Sequence, residues 1–274
     1  MFENPWIQFG ALPAIVAFAA AGILRLAGGP SLGPRIASTG AGIALLVAYG
    51  LTLDLQQPIA FDRTAIILFG AVALGAIGDL TAPDLRPLRR TLIIVAPLLA
   101  LIWLRGTAFE TGGLLQASLF GACFVAIAVI TFSFSDFEAG NATPAILLAM
   151  AGLGIGLVLF YSGERGTAGM VLSAAAAAAG FFLWNWPGPR LANGLGLHIG
   201  ITTPLLTTAA VAAIEGSANR LGLALMILVF FADKIFRLPA VGGRAGHVVQ
   251  PLLLAAVCGL IVLAAVAAAT LTSL

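Results

Sequence analysis

The chain is short of charge. Of its 274 residues only 9% are Asp, Glu, Lys or Arg, while 61% are hydrophobic, and the mean hydropathy is +1.09. A soluble domain carries roughly a quarter charged residues, so this composition excludes one and points to an integral membrane protein. The net charge of +2 gives no reason to expect a nucleic-acid partner. Cysteine is nearly absent: Cys123 and Cys258 each sit inside an apolar run, where a free thiol behaves as a small hydrophobe, so neither signals redox or metal chemistry. Positive charge is missing before Arg25, whereas Glu3 stands near the start. A secretory leader places basic residues ahead of its apolar core, so the first apolar run is expected to remain as a transmembrane helix. Alternation is missing too. A membrane barrel needs alternating strands of about 10 residues, whereas an α-helical span needs about 20 mostly apolar ones, and the runs here are long and unalternated.

Those runs, separated by Gly, Pro and clusters of charge, predict ten helices over about 7–27, 36–53, 64–78, 91–104, 113–132, 144–161, 166–184, 196–214, 219–236 and 248–272. The expected fold is therefore an all-α polytopic membrane protein, with residues 1–274 forming one integral membrane domain. An even count puts both termini on one side. The odd-numbered loops carry Arg25, Arg35, Arg86, Arg89, Arg90, Arg190, Lys234, Arg237 and Arg244; the even-numbered loops carry Arg63, Arg105, Arg165 and Arg220. By the positive-inside rule the five odd loops are expected to be cytoplasmic and the termini outside, in a multi-pass protein of the inner (cytoplasmic) membrane. Small residues such as Gly152, Gly154, Gly156 and the block Ala174 to Ala179 suit close helix packing in a bilayer.

Polar chemistry concentrates on the same face. Asp79, Asp136 and Asp233 fall at or near the cytoplasmic ends of the third, fifth and ninth spans, and His198 and His247 lie at or near that face. Two explanations stand side by side: hydrocarbon excludes charge, so charge collects at helix ends, or these ends surround a site for a polar cytoplasmic substrate.

The stretch "AGFFLWNWPGPR" resembles the helix-to-loop passage of the polyprenyl-phosphate N-acetylhexosamine-1-phosphate transferases, the glycosyltransferase family 4 type that includes phospho-MurNAc-pentapeptide transferase-like enzymes. Other stretches follow in the family's order. "GPRIASTGAGIAL" is similar to a Pro-Arg-x-Gly-Gly segment, "GAIGDLTAPDLRPLRR" to the passage where an aspartate pair ends a helix, and "FSFSDFEAGNA" to the passage with successive aspartates. "FFADKIFRL" and "GRAGHVVQ" resemble the late helix and the histidine-bearing loop. The resemblance spans about residues 30 to 251. It implies ten helices with outside termini, and an enzyme that moves a sugar phosphate from a UDP-sugar onto undecaprenyl phosphate with release of UMP, assisted by Mg²⁺. Such a reaction rests on positioning and electrostatic stabilisation, and Mg²⁺ prefers carboxylate and phosphate oxygens.

Carried over residue by residue, the resemblance implies Asp79 and Asp136 as catalytic and metal-holding residues. It implies Arg244, His247, Arg190 and Asn185 as contacts to the substrate, with Arg244 and His247 gripping the pyrophosphate. The chain departs from the pattern at several positions: Gly78 and Ala139 replace aspartates, with Glu138 beside the latter, and Ser133 replaces an asparagine. Arg244 replaces a histidine, which leaves a side chain able to hold phosphate. Leu195 stands where a metal-binding aspartate is found, and His198 where a serine is found. Each candidate also has a structural role open to it. Asp79 can end a helix and pair with Arg89 or Arg90, Asp233 can pair with Arg237 at i,i+4, and His198 can be a satisfied polar residue at a helix start. Asn141-Ala142-Thr143 fits a glycosylation sequon but falls in an expected cytoplasmic loop. Three functions follow: a divergent transferase; an inactive member of the same fold that binds lipid or serves as a homodimer or a subunit of a membrane complex; and a small-solute transporter, which would need ionisable or broken-helix sites near the midplane.

Overall fold

A computed structural model of the chain describes residues 4–52, 63–81, 86–105, 113–137, 142–188, 190–236 and 243–271, and all regular structure among them is helical. A wide turn over Ile7–Ala11 leads into α1 (Leu12–Ala27), followed by α2 (Gly29–Ile36), α3 (Thr39–Thr52), α4 (Arg63–Thr81), α5 (Arg86–Arg105), α6 (Leu114–Ser135), α7 (Thr143–Tyr161) and α8 (Arg165–Phe182). After the loop at Trp184 come α9 (Leu195–Glu215), α10 (Arg220–Met226), α11 (Ala232–Ile235) and α12 (Gly243–Leu271).

Among the described residues eight helices are long and apolar enough to cross a membrane. A ninth is added if α2 and α3, bent by 49° at their junction, count as one span. At 1.5 Å per residue, helices of 19 to 24 residues match a hydrocarbon core of about 30 Å, so the protein is multi-pass. The second apolar stretch, expected over 36–53, is helical from Thr39 as α3, and the short α2 over Gly29–Ile36 precedes it across the junction at Ala37 and Ser38. The stretch expected as the ninth span, 219–236, is a broken helix: α10 tightens into a 3₁₀ segment over Ile227–Phe231 before α11. Its start is capped locally, by Asn219 Oδ1 accepting from the Gly222 amide at 2.7 Å.

The central element is α9, which packs on α3, α4 and α5 and also touches α6, α7 and α8. Its residues from Leu195 to Thr207 are all buried. Apolar pressure alone does not gather helices in lipid; small side chains that let backbones approach do. A Cβ at Gly75 of α4 would lie 2.8 Å from the Gly196 Cα, and one at Gly196 would lie 2.6 Å from the Thr39 amide nitrogen. So α4 and α3 meet the start of α9 backbone to backbone. On the far side, Gly152 of α7 meets Ala175 of α8 in the same manner.

Candidate functional site

The start of α9 defines a polar cluster at one end of the bundle. The helix begins after Gly194, which has no side chain to cap it, yet the first amides of any helix need acceptors. Asp79, three residues before α4 gives way to undescribed chain, supplies them from across the interface. Its Oδ1 accepts from the Leu195 amide at 2.6 Å, and its Oδ2 accepts from the Gly196 amide at 2.9 Å. Oδ2 also accepts from the Ser38 hydroxyl, at the α2–α3 junction, at 2.8 Å. The carboxylate is 6% exposed, and its negative charge faces the positive end of the α9 dipole. Glycine surrounds it for a steric reason: a Cβ on Gly194 would strike the Asp79 carboxylate and Ser38, and one on Gly78 would strike the Leu195 side chain.

Arg89 closes the cluster. Its Nη2 donates to the Asn193 carbonyl at 2.6 Å, and its charge offsets that of Asp79. The neighbouring Arg90 turns outward, donating to Asp136 Oδ1 at 3.0 Å while lying over the Phe132 ring. Both partners are about half exposed, at 44% and 53%. Ser133, one turn before Asp136, accepts from Lys234 Nζ at 2.7 Å, which ties the broken helix to α6. Thus Asp79 and Asp136 come to the same end of the molecule, joined through consecutive arginines, but each already has its own partners.

The remaining sequence candidates fall into place around them. Asn185 is buried, and its Oδ1 accepts from the Arg190 and Leu191 amides at 2.9 and 2.8 Å, so its side chain shapes the loop that leads to α9. Arg190 is exposed on that loop. Trp184 stacks on Phe18 of α1, with ring centroids 4.7 Å apart, and donates its indole N–H to the Phe18 carbonyl at 2.8 Å. The Ala192 amide donates to the Pro34 carbonyl at 3.0 Å, pinning the same loop to α2. His198 is 1% exposed and edge-on to Phe134, and neither of its ring nitrogens has a hydrogen-bond partner among the described residues. It is therefore not the satisfied polar residue expected from its place near a helix start. Arg244 and His247 belong to the first turns of α12, but their side chains, like Glu138 and Arg237, lie outside the described residues.

As donors for Mg²⁺ these residues fit poorly. A carboxylate offers about four lone-pair positions, and three of those on Asp79 are taken by N–H and O–H donors inside the packed interface. Leu195, packed among Ala71, Ile93 and Ile199, brings hydrocarbon where a further carboxylate would be needed. Among the described residues no three His, Cys, Asp or Glu side chains gather closely enough to hold a metal ion. Compared with protein-family models, curated proteins and solved structures, the chain gives no significant match to any of them.

Proposed function

We propose that the protein is a non-catalytic membrane component built on a scaffold like that of the polyprenyl-phosphate sugar-phosphate transferases, in which the aspartate end has been turned from phosphoryl chemistry to holding the fold. The observation that carries this is the threefold engagement of Asp79, which caps α9 through two amides and accepts from Ser38. A carboxylate waiting for a metal keeps oxygens open toward substrate, whereas both oxygens of Asp79 point into an interface sealed by Leu195.

In this reading the basic end faces the cytoplasm of an inner membrane, following the distribution of Arg and Lys, with ten apolar segments and outside termini. Exposed Arg86, Arg90 and Arg190 then lie at the level of anionic lipid headgroups, where each basic residue contributes about 1 kcal/mol of attraction. The role is that of a lipid-binding or structural subunit. The transferase reading keeps one supporting observation, the gathering of Asp79 and Asp136 at a common end beside Arg89 and Arg90.

An assay separates the two. Purified protein is incubated with undecaprenyl phosphate, Mg²⁺ and a panel of UDP-N-acetylhexosamines, and UMP release is followed beside an active transferase. The expected result is no release above the protein-free rate with any donor. Mg²⁺-dependent release that Asp79→Asn abolishes would establish the enzyme instead.

A further inference from the structure

The end of the bundle opposite Asp79 holds a chamber of about 720 Å³, formed where the ends of α3, α4, α5, α8 and α9 diverge. Tyr49, Thr64, Arg105, Glu164, Thr207 and Glu215 are among its walls. Arg105 and Glu215 form an ion pair across it. Glu164 precedes α8 without capping it, and its carboxylate has no hydrogen-bond or ion-pair partner among the described residues. With the pair neutral, Glu164 leaves the chamber walls with one negative charge. That favours a cationic group.

A second cavity, of about 910 Å³, is an apolar groove between α4 and α5 that shares Ile67 with the chamber. Leu74, Leu99 and Trp103 line it, and it runs from Arg63 to Leu74 along α4. The eleven steps from Arg63 to Leu74 rise about 16 Å, close to the hydrocarbon depth of one leaflet, which is half of about 30 Å. Its floor holds one polar group. Thr203 is 2% exposed, and its hydroxyl has no partner among the described residues. A helical threonine ordinarily returns its proton to a carbonyl one turn back, as Thr207 does to Thr203 at 2.7 Å. Thr203, which lines the groove, leaves that proton unused among the described residues.

We infer that the chamber and the groove form one binding site for a single amine-headed glycerophospholipid. The ammonium head meets Glu164, one acyl chain fills the α4–α5 groove, and an ester carbonyl at the junction accepts from the Thr203 hydroxyl. Head, ester and acyl chain thus meet polar, polar and apolar surfaces in the order such a lipid presents them. This site is independent of the reading given for the Asp79 end.

The full chain, purified in detergent containing equal phosphatidylethanolamine and phosphatidylglycerol, tests the assignment by native mass spectrometry of the lipid it retains. Retention of the ethanolamine lipid about tenfold over the glycerol lipid is expected, the factor one charge-assisted contact supplies. Glu164→Gln brings that ratio to near one. Thr203→Val weakens retention of both lipids severalfold at unchanged preference, and Ile67→Trp, which fills the junction, abolishes it. Thermal melts of each variant confirm that the fold persists, and the first two changes suffice if Ile67→Trp does not fold. Equal retention of the two lipids by the wild type overturns the assignment, as does a preference unmoved by Glu164→Gln. Displacement by free phosphoethanolamine also overturns it, because a headgroup that competes alone has no need of the groove.

Discussion

Replacing Asp79 removes the acceptor from three donors at once, two of them amides at the start of a buried membrane helix. A lost helix cap costs about 0.5–2 kcal/mol and each buried donor left unmade about 1–3 kcal/mol, so Asp79→Ala is expected to destabilise by at least about 2 kcal/mol. The check is a lowered thermal midpoint in detergent. Asp136→Ala, by contrast, breaks a half-exposed pair with Arg90, and the midpoint is expected to move by less than about 1 kcal/mol equivalent. A catalytic pair would show a different pattern, with both changes damaging activity and neither the fold. At this scale the sequence exposed Asp79 as a polar residue near a helix end with arginines close by. It did not expose what Asp79 holds, because the amides it accepts from lie 116 and 117 positions away and belong to a leucine and a glycine. Only one local sign existed: α9 starts at Leu195 after a glycine, with no Ser, Thr, Asp or Asn at the cap position to serve it. The role of Asn185 was hidden for a similar reason. Its contacts are with backbone amides five and six residues on, which no side-chain pattern reveals.

Among helices, the α4–α9 crossing decides how the polar cluster is assembled. Gly75 and Gly196 bring the two backbones into contact, and Gly78 makes room for Leu195. Gly75→Leu forces α4 away from α9, so the Asp79 carboxylate no longer reaches the Leu195 amide. The variant is expected to lose stability comparable to that of Asp79→Ala, and combining the two is expected to be less than additive because both sever the same contact. A double-mutant cycle on thermal midpoints reads this directly. Hydropathy made most of the helices legible, since a run of about 20 apolar residues has few other fates. It did not show the bend between α2 and α3 or the break at Ile227–Phe231. The broken stretch "GLALMILVFFA" is uniformly apolar, and composition carries no mark of where a helix tightens.

Across the whole molecule, the two ends differ in kind. One is a closed cluster in which Ser38 donates to Asp79 and Arg89 to the Asn193 carbonyl, across four parts of the chain, and the other is an open chamber where the Glu164 carboxylate has no partner among the described residues. In the proposed orientation, which follows the count of Arg and Lys, the closed end faces the cytoplasm. A cysteine placed at Arg190, in a chain with Cys123 and Cys258 replaced by alanine, is thus expected to react with a membrane-impermeant maleimide in inverted vesicles and not in intact cells. Labelling in the opposite pattern reverses the orientation. The chamber left no trace in the sequence because its walls come from separate helices, each contributing only a few ordinary threonines or charges.

The central claim is that Asp79 caps a helix and does not hold a metal. A ligand that binds only the folded state raises its stability by RT ln(1 + [L]/Kd), about 2.7 kcal/mol at a hundredfold excess over Kd. Thermal unfolding of the wild-type protein across a Mg²⁺ titration, with Asp79→Asn beside it, therefore tests the claim most directly. The account predicts a wild-type midpoint that does not respond to Mg²⁺ and an Asp79→Asn midpoint lower by the same amount at every concentration. A midpoint that climbs with Mg²⁺ in the wild type and stays flat in Asp79→Asn would contradict it.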